Sequence, residues 1–248
     1  MMLSNFQHTP FELRWSHYKP VFSQKESCMA VRKIPKNYLF VTGGYSSRKN
    51  EEMDAFESLL EKDYLLVLDF DDAVAKFEVQ PVRIPVAGVP KGYVPDVFVE
   101  YRPDPQTGEI RKPSLVEVKS AEDLVRNAEK YAPKFAAARQ YAEERGWEFR
   151  TVDQNEIRSP RLANLKFLRE YRNFSPANDD IQTVQQHMAN ADGESSSQRL
   201  VDALAPTDDG KLYWLPVIWS MVLTRHLVTD LDKLFIHDVP LWLPGVCA

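Results

Sequence analysis

Tyr93-Val94-Pro95-Asp96-Val97-Phe98-Val99 and, further along, Ser114-Leu115-Val116-Glu117-Val118-Lys119 are the stretches whose reading decides the fold. Both are rich in β-branched and aromatic residues, so both predict strands. Side chains alternate along a strand, which sends Glu117 and Lys119 to one face and Val118 to the other. If the two strands pair, Asp96 joins them, and two carboxylates and an ammonium meet on one sheet. Two convergent carboxylates make a hard-oxygen site suited to Mg²⁺. A lysine beside them can orient or activate a water, or stabilise charge developing on a phosphate. The competing interpretation of Glu-x-Lys is a solvated cross-strand ion pair.

Upstream, Ala55-Phe56-Glu57-Ser58-Leu59-Leu60-Glu61-Lys62-Asp63-Tyr64 has helical spacing, and Asn50-Glu51-Glu52 suits its first turn. Glu57 and Glu61 are four apart and would share a face, a repulsion that a bound cation would relieve. We assign Glu57 to a solvated face and Glu61 to a metal-binding or water-positioning role. Leu65–Phe70 then reads as a strand, and Asp69, Asp71 and Asp72 as turn residues. Lys76–Val86 reads as a strand interrupted at Pro81, implying an edge, a bulge or a strand end. Pro103–Pro113 is a polar hairpin. Ala121–Arg145 is a helix kinked or divided by Pro133 and stopped by Gly146, and Trp147–Val152 is a strand joined to its predecessor by a parallel crossover. The predicted order is α-β-β-β-α-β.

This arrangement resembles TnsA, the endonuclease subunit of a two-part bacterial transposase, within the PD-(D/E)xK restriction-endonuclease-like nucleases. The resemblance rests on Ser58-x-x-Glu61, Gln80-Pro81, Pro95-Asp96 and Glu117-x-Lys119, and spans roughly residues 40–150. It implies a restriction-endonuclease-like mixed sheet flanked by helices (α/β), followed by a mainly helical, winged-helix-like C-terminal domain. It also implies that Glu61, Asp96 and Lys119 are catalytic; some members carry Gln at the position of Glu117, which here fits the wider superfamily pattern. With Glu117 added, the catalytic set is Glu61, Asp96, Glu117 and Lys119, and the metal ligands are Glu61, Asp96 and Glu117. The expected cofactor is Mg²⁺, with Mn²⁺ able to substitute. The implied partners are transposon-end DNA, a transposase subunit cutting the 3′ ends and an ATP-dependent regulator.

At 248 residues the chain accommodates one large domain or two modest ones. We divide it into an N-terminal basic arm (1–37), a catalytic domain (38–154) and a C-terminal domain (155–248) for partner or DNA binding. Tyr38–Thr42 reads as a strand and Gly43–Asn50 as a loop beside the site, whose glycines lack the Lys-Ser/Thr spacing of a phosphate loop. No apolar run is long enough to span a bilayer and no secretory signal opens the chain, so a bacterial cytoplasm is expected. The two cysteines, Cys28 and Cys247, support neither a disulfide framework nor a zinc site, and His187, His226 and His237 have no ligand spacing.

The net charge of −5 argues against a protein that grips DNA strongly unaided. Residues 51–110 carry fourteen acids against five Lys/Arg, coinciding with the carboxylate site. Arg32, Lys33, Lys36, Arg48 and Lys49 are candidate phosphate contacts. In the C-terminal part, helices are expected at Leu162–Tyr171, Asp179–Met188, Gln198–Leu204 and Tyr213–His226, with a polar break at Asn190–Ser197. His226–Asp230 and Asp238–Trp242 read as short strands. Residues 173–248 hold ten acids and four Lys/Arg, which favours partner binding there over tight DNA binding. The rival functions are a stand-alone restriction or repair nuclease and a catalytically inactive docking scaffold.

Overall fold

The structure, a computed structural model, describes residues 42–246. The expected N-terminal arm and almost all of the strand at Tyr38–Thr42 lie outside these residues. The first element of the described residues is β1 (Gly43–Tyr45), paired antiparallel with β2 (Asp54–Phe56). The Gly43–Asn50 stretch therefore opens with a strand, and Asp54–Phe56 is extended where a helix was expected.

The helix starts later. In α1 (Leu59–Phe70) Ser58 is the N-cap, its Oγ accepting the Glu61 amide at 3.1 Å. The Glu61 carboxylate accepts a hydrogen bond from the Glu57 amide at 2.7 Å and another from the Ser58 hydroxyl at 3.0 Å. This is a variant of the capping box, with both ends of the exchange satisfied. Leu65–Phe70, expected as a strand, is the second half of α1. A continuous apolar run does not distinguish a buried strand from a buried helix, and the cap at Ser58 decides it. Glu57 precedes the helix, so it shares no helical face with Glu61.

The main sheet comprises β3 (Val74–Val79), β6 (Val97–Tyr101), β7 (Ser114–Val118) and β8 (Glu148–Val152), in the order β3-β6-β7-β8. Between β3 and β6 lies a small hairpin, β4 (Ile84–Val86) and β5 (Val89–Tyr93). Pro81 marks a strand end: β3 stops at Val79, and β3 is also a sheet edge. β6 and β7 pair antiparallel with Val97 opposite Val116, and β7 and β8 are parallel, as the crossover required. Every residue of β6 and β7 is buried.

The crossover is α2 (Ala121–Arg126) and α3 (Ala128–Glu143). The division falls at Asn127, not at Pro133. Pro133 forfeits only the hydrogen bond to the Glu129 carbonyl in the opening turn of α3, so the discontinuity sits upstream of it. Gly146, at φ +73°, then reverses the chain into β8.

Two apolar layers enclose the sheet. Phe98 and Leu115 face Phe135, Ala138 and Ala142 of α3. Val97, Val99, Val116 and Val118 face a core shared with Leu65, Leu66 and Leu68 of α1. That core continues into α4 (Gln154–Ile157), α5 (Pro160–Arg169), α6 (Asn178–Asn190), α7 (Ser197–Leu204) and α8 (Asp208–Leu223), through Ile157, Leu165, Val184, Val201 and Ile218.

The expected polar break at Asn190–Ser197 contains β9 (Glu194–Ser196), which pairs antiparallel with β10 (Pro240–Trp242). His226–Asp230 contributes a single bridge, Val228 to Trp242, instead of a strand. Buried Asn164 ties α5 to this region, donating to the carbonyls of Leu231 (2.8 Å) and Lys233 (2.7 Å) and accepting from the Phe235 amide (2.9 Å).

Candidate active site

Strand pairing sets the site. Asp96 immediately precedes β6 and Lys119 immediately follows β7, so the antiparallel register brings them to the same end of the sheet. The Asp96 carboxylate accepts the Val118 amide at 2.8 Å, fixing it across the two strands. Lys119 is held from the other side, its amide bonded to the Val152 carbonyl at 3.1 Å. Its Nζ lies 3.0 Å from Glu117 Oε1, 3.2 Å from Asp96 Oδ2 and 3.1 Å from the Val118 carbonyl. Asp96, Glu117 and Lys119 are thus brought together as expected.

Glu61 enters from the first turn of α1. Burial, followed by the charge of Asp96, raises its pKa to about 7. Glu117, only 4% exposed, is likewise raised to about 7, by burial and then by Asp96. Burial works to discharge Lys119, but Asp96, Glu117 and Glu61 outweigh it and hold its pKa above the ordinary lysine value. Lys119 is therefore an ammonium at neutral pH, suited to stabilising charge or orienting a group and not to accepting a proton.

Two further residues support the catalytic set, Tyr93, which the sequence did not single out, and Ser58, which entered only through the Ser58-x-x-Glu61 motif. Tyr93, at the end of β5, donates its hydroxyl to Glu117 Oε2 at 2.6 Å. Its ring packs with Phe135 and Phe149, and no local pattern links residues so far apart in the chain. Ser58 caps α1 and engages the Glu61 carboxylate. Here a signal was present, because Ser-x-x-Glu before an apolar run is the capping-box signature.

The basic loop next to the glycines is placed elsewhere. Arg48 lies over the Phe70 ring and its amide bonds to Asp69. Lys49 Nζ caps the far end of α1 through the carbonyls of Leu68 and Asp71. Both sit at the end of α1 opposite Glu61, about 12 Å away by the rise of eight helical residues. Asp69, expected in a turn, is buried in α1 and accepts from Tyr45 and Ser47. Arg32, Lys33 and Lys36 lie outside the described residues.

Among the described residues no group of three or more His, Cys, Asp and Glu is drawn together to hold a metal ion directly. Instead, the Lys119 ammonium stands between Asp96 and Glu117. The donor chemistry nonetheless fits a hard divalent cation. Three carboxylates and one ammonium leave a formal charge of −2 when all are ionised, and burial, followed by repulsion from Asp96, already pushes Glu61 and Glu117 toward protonation.

A mixed sheet flanked by helices, with carboxylates and a lysine converging where two central strands end, fits the restriction-endonuclease-like class. Residues 71–154 match the family model for the TnsA-like endonuclease N-terminal domain, so the resemblance read from the sequence holds over this third of the chain. The match includes Asp96, Glu117 and Lys119 and begins after α1, leaving Glu61 outside it. Comparison with curated protein sequences gave no match. Among the described residues, no helix is long and apolar enough to cross a membrane.

Proposed function

We propose that this protein is a Mg²⁺-dependent DNA endonuclease subunit of a heteromeric transposase, cutting the 5′ ends of a transposon during cut-and-paste transposition. The observation that carries this reading is the convergence of Asp96, Glu117 and Lys119 inside the segment that matches TnsA-like endonucleases. Asp96, Glu117 and Glu61 would hold the metal. Bound there, a divalent cation supplies Lewis-acid polarisation of the scissile phosphate and a more acidic water. Asp96 is oriented by the Val118 amide, Glu117 by Tyr93 and Glu61 by the α1 cap. Lys119 keeps its positive charge and stabilises the charge developing on the phosphate.

The C-terminal part would be a winged-helix-like module. The order α6-β9-α7-α8-bridge-β10, three helices interleaved with a small sheet, supports it. Its excess of acids favours docking of protein partners over tight DNA binding, and those partners would be the 3′-cutting transposase subunit and the ATP-dependent regulator. Strand breaks on labelled transposon-end DNA, mapped with Mg²⁺ and both partners, test the reading. Asp96→Ala and Lys119→Ala should each lose the 5′-strand cut while the 3′ cut remains. Unchanged 5′ cutting in both variants would make this chain a scaffold.

A further inference from the structure

Among the described residues, four besides glycine have a left-handed backbone: Gln80, Asp192, Arg225 and His237. The last three are exposed, where turns tolerate such strain. Gln80 differs: it is 4% exposed at φ +51°, immediately after β3. Glycine would adopt this conformation without strain, so what glutamine adds at this position is its side chain.

That side chain lies between the two halves of the site. Gln80 Nε2 donates to Glu57 Oε1 at 3.1 Å, and the Glu57 amide in turn donates to the Glu61 carboxylate at 2.7 Å. The Gln80 amide donates to the Asp96 carbonyl at 2.8 Å. One residue thus bonds both to Glu57, whose amide orients Glu61, and to Asp96, which supplies the other repelling carboxylate. Its Oε1 is buried with no hydrogen-bond partner among the described residues, a cost that the Nε2 contact to Glu57 has to offset.

We propose that Gln80 is a positioning residue of the nuclease site, fixing the start of the Glu61 helix against the Asp96 strand. This rests on the nuclease reading above.

The test uses the full chain with the partner subunits, labelled transposon-end DNA and three variants. Gln80→Gly removes both strain and amide, Gln80→Glu is isosteric but sets a carboxylate against Glu57, and Gln80→Asn keeps the amide on a shorter stem. Gln80→Gly should melt no lower than wild type, yet its kcat for the 5′ cut should fall about tenfold or more with KM within about twofold, the signature of lost orientation. Gln80→Glu should show the same split, and Gln80→Asn should recover part of the rate. Calorimetric titration with Mn²⁺ should show weaker binding to both Gln80→Gly and Gln80→Glu. Wild-type cutting by Gln80→Gly and Gln80→Glu, or losses that merely track a fall in melting temperature, would overturn the proposal. Asp96→Ala in parallel separates the failures. If Asp96→Ala is inactive while the Gln80 variants cut normally, only the positioning role falls; if Asp96→Ala cuts normally, the nuclease reading falls and takes this role with it.

Discussion

Replacing Lys119 with Met keeps the aliphatic stem and deletes the ammonium that bridges Asp96 and Glu117. At separations near 3 Å and an effective dielectric constant of about 20, each contact is worth roughly 5 kcal/mol before desolvation is charged against it. Breaking a buried pair typically costs about 3–5 kcal/mol net. The Lys119 side chain is 26% exposed, which places the expected loss at the lower end, about 3 kcal/mol at pH 8. The loss must depend on pH. Glu61 and Glu117 already have raised pKa values, and without Lys119 they rise further. A carboxyl raised in the folded state contributes stability below its unfolded pKa, and this is lost as pH rises through the folded value. At pH 5 both carboxyls in the variant are protonated and only Asp96 is left without its cation, so the deficit should shrink to about 1 kcal/mol. Urea unfolding of wild type and Lys119→Met in a chelator, at pH 5 and pH 8, measures both numbers. An equal deficit at the two pH values would refute the electrostatic account and leave lost packing as the cause.

In the metal-free wild type, stability should fall by about 3 kcal/mol between pH 5 and pH 8 as the coupled Glu61 and Glu117 ionise, and Mg²⁺ should restore it at pH 8 more than at pH 5; thermal melts with chelator or Mg²⁺ at each pH check this. Tyr93→Phe leaves Glu117 Oε2 without its 2.6 Å donor and should cost about 1.5–3 kcal/mol in urea unfolding, with a lower cleavage rate. Asn164→Ala orphans the carbonyls of Leu231 and Lys233 and the Phe235 amide, and should cost about 3–5 kcal/mol by the same measurement. Ser58→Ala removes the cap of α1 and should cost about 1 kcal/mol, read as a 2–4 °C drop in melting temperature.

The β6–β7 pair was legible because both strands are apolar runs ending in polar residues, and antiparallel pairing leaves few registers that keep Val97 and Val116 buried together. From that register the meeting of Asp96, Glu117 and Lys119 follows almost automatically. The end of the crossover was equally legible, because Gly146 can stop a helix where other residues cannot. Leu65–Phe70 was not: α1 is covered by the sheet on one side and α5 on another, so it is apolar nearly all round and lost the period that identifies a helix. β9 was hidden for the opposite reason. Glu194-Ser195-Ser196 has no apolar alternation at all, and only its pairing with β10 makes it a strand. Tyr93 and Gln80 act through contacts 24 and 23 residues away in the chain, which no local pattern encodes.

Glu61 shows how a structural and a chemical requirement meet in one side chain. Its carboxylate closes the first turn of α1 through Ser58 and the Glu57 amide, and those bonds oppose the rise in its pKa that burial and Asp96 impose. The cap therefore does more than start a helix: it keeps a buried carboxylate close to its charged form next to another carboxylate. Glu117 relies on Lys119 for the same service from the other side of the cluster. A divalent cation held by Glu61, Asp96 and Glu117 would be in competition with the α1 cap and the Lys119 ammonium for the same carboxylate oxygens. An isolated Glu-x-Lys on a solvated strand has no such competition to resolve. The burial of Glu61 and Glu117, more than the presence of the four residue types, is what separates this site from the surface ion pair that the same letters could equally have spelled.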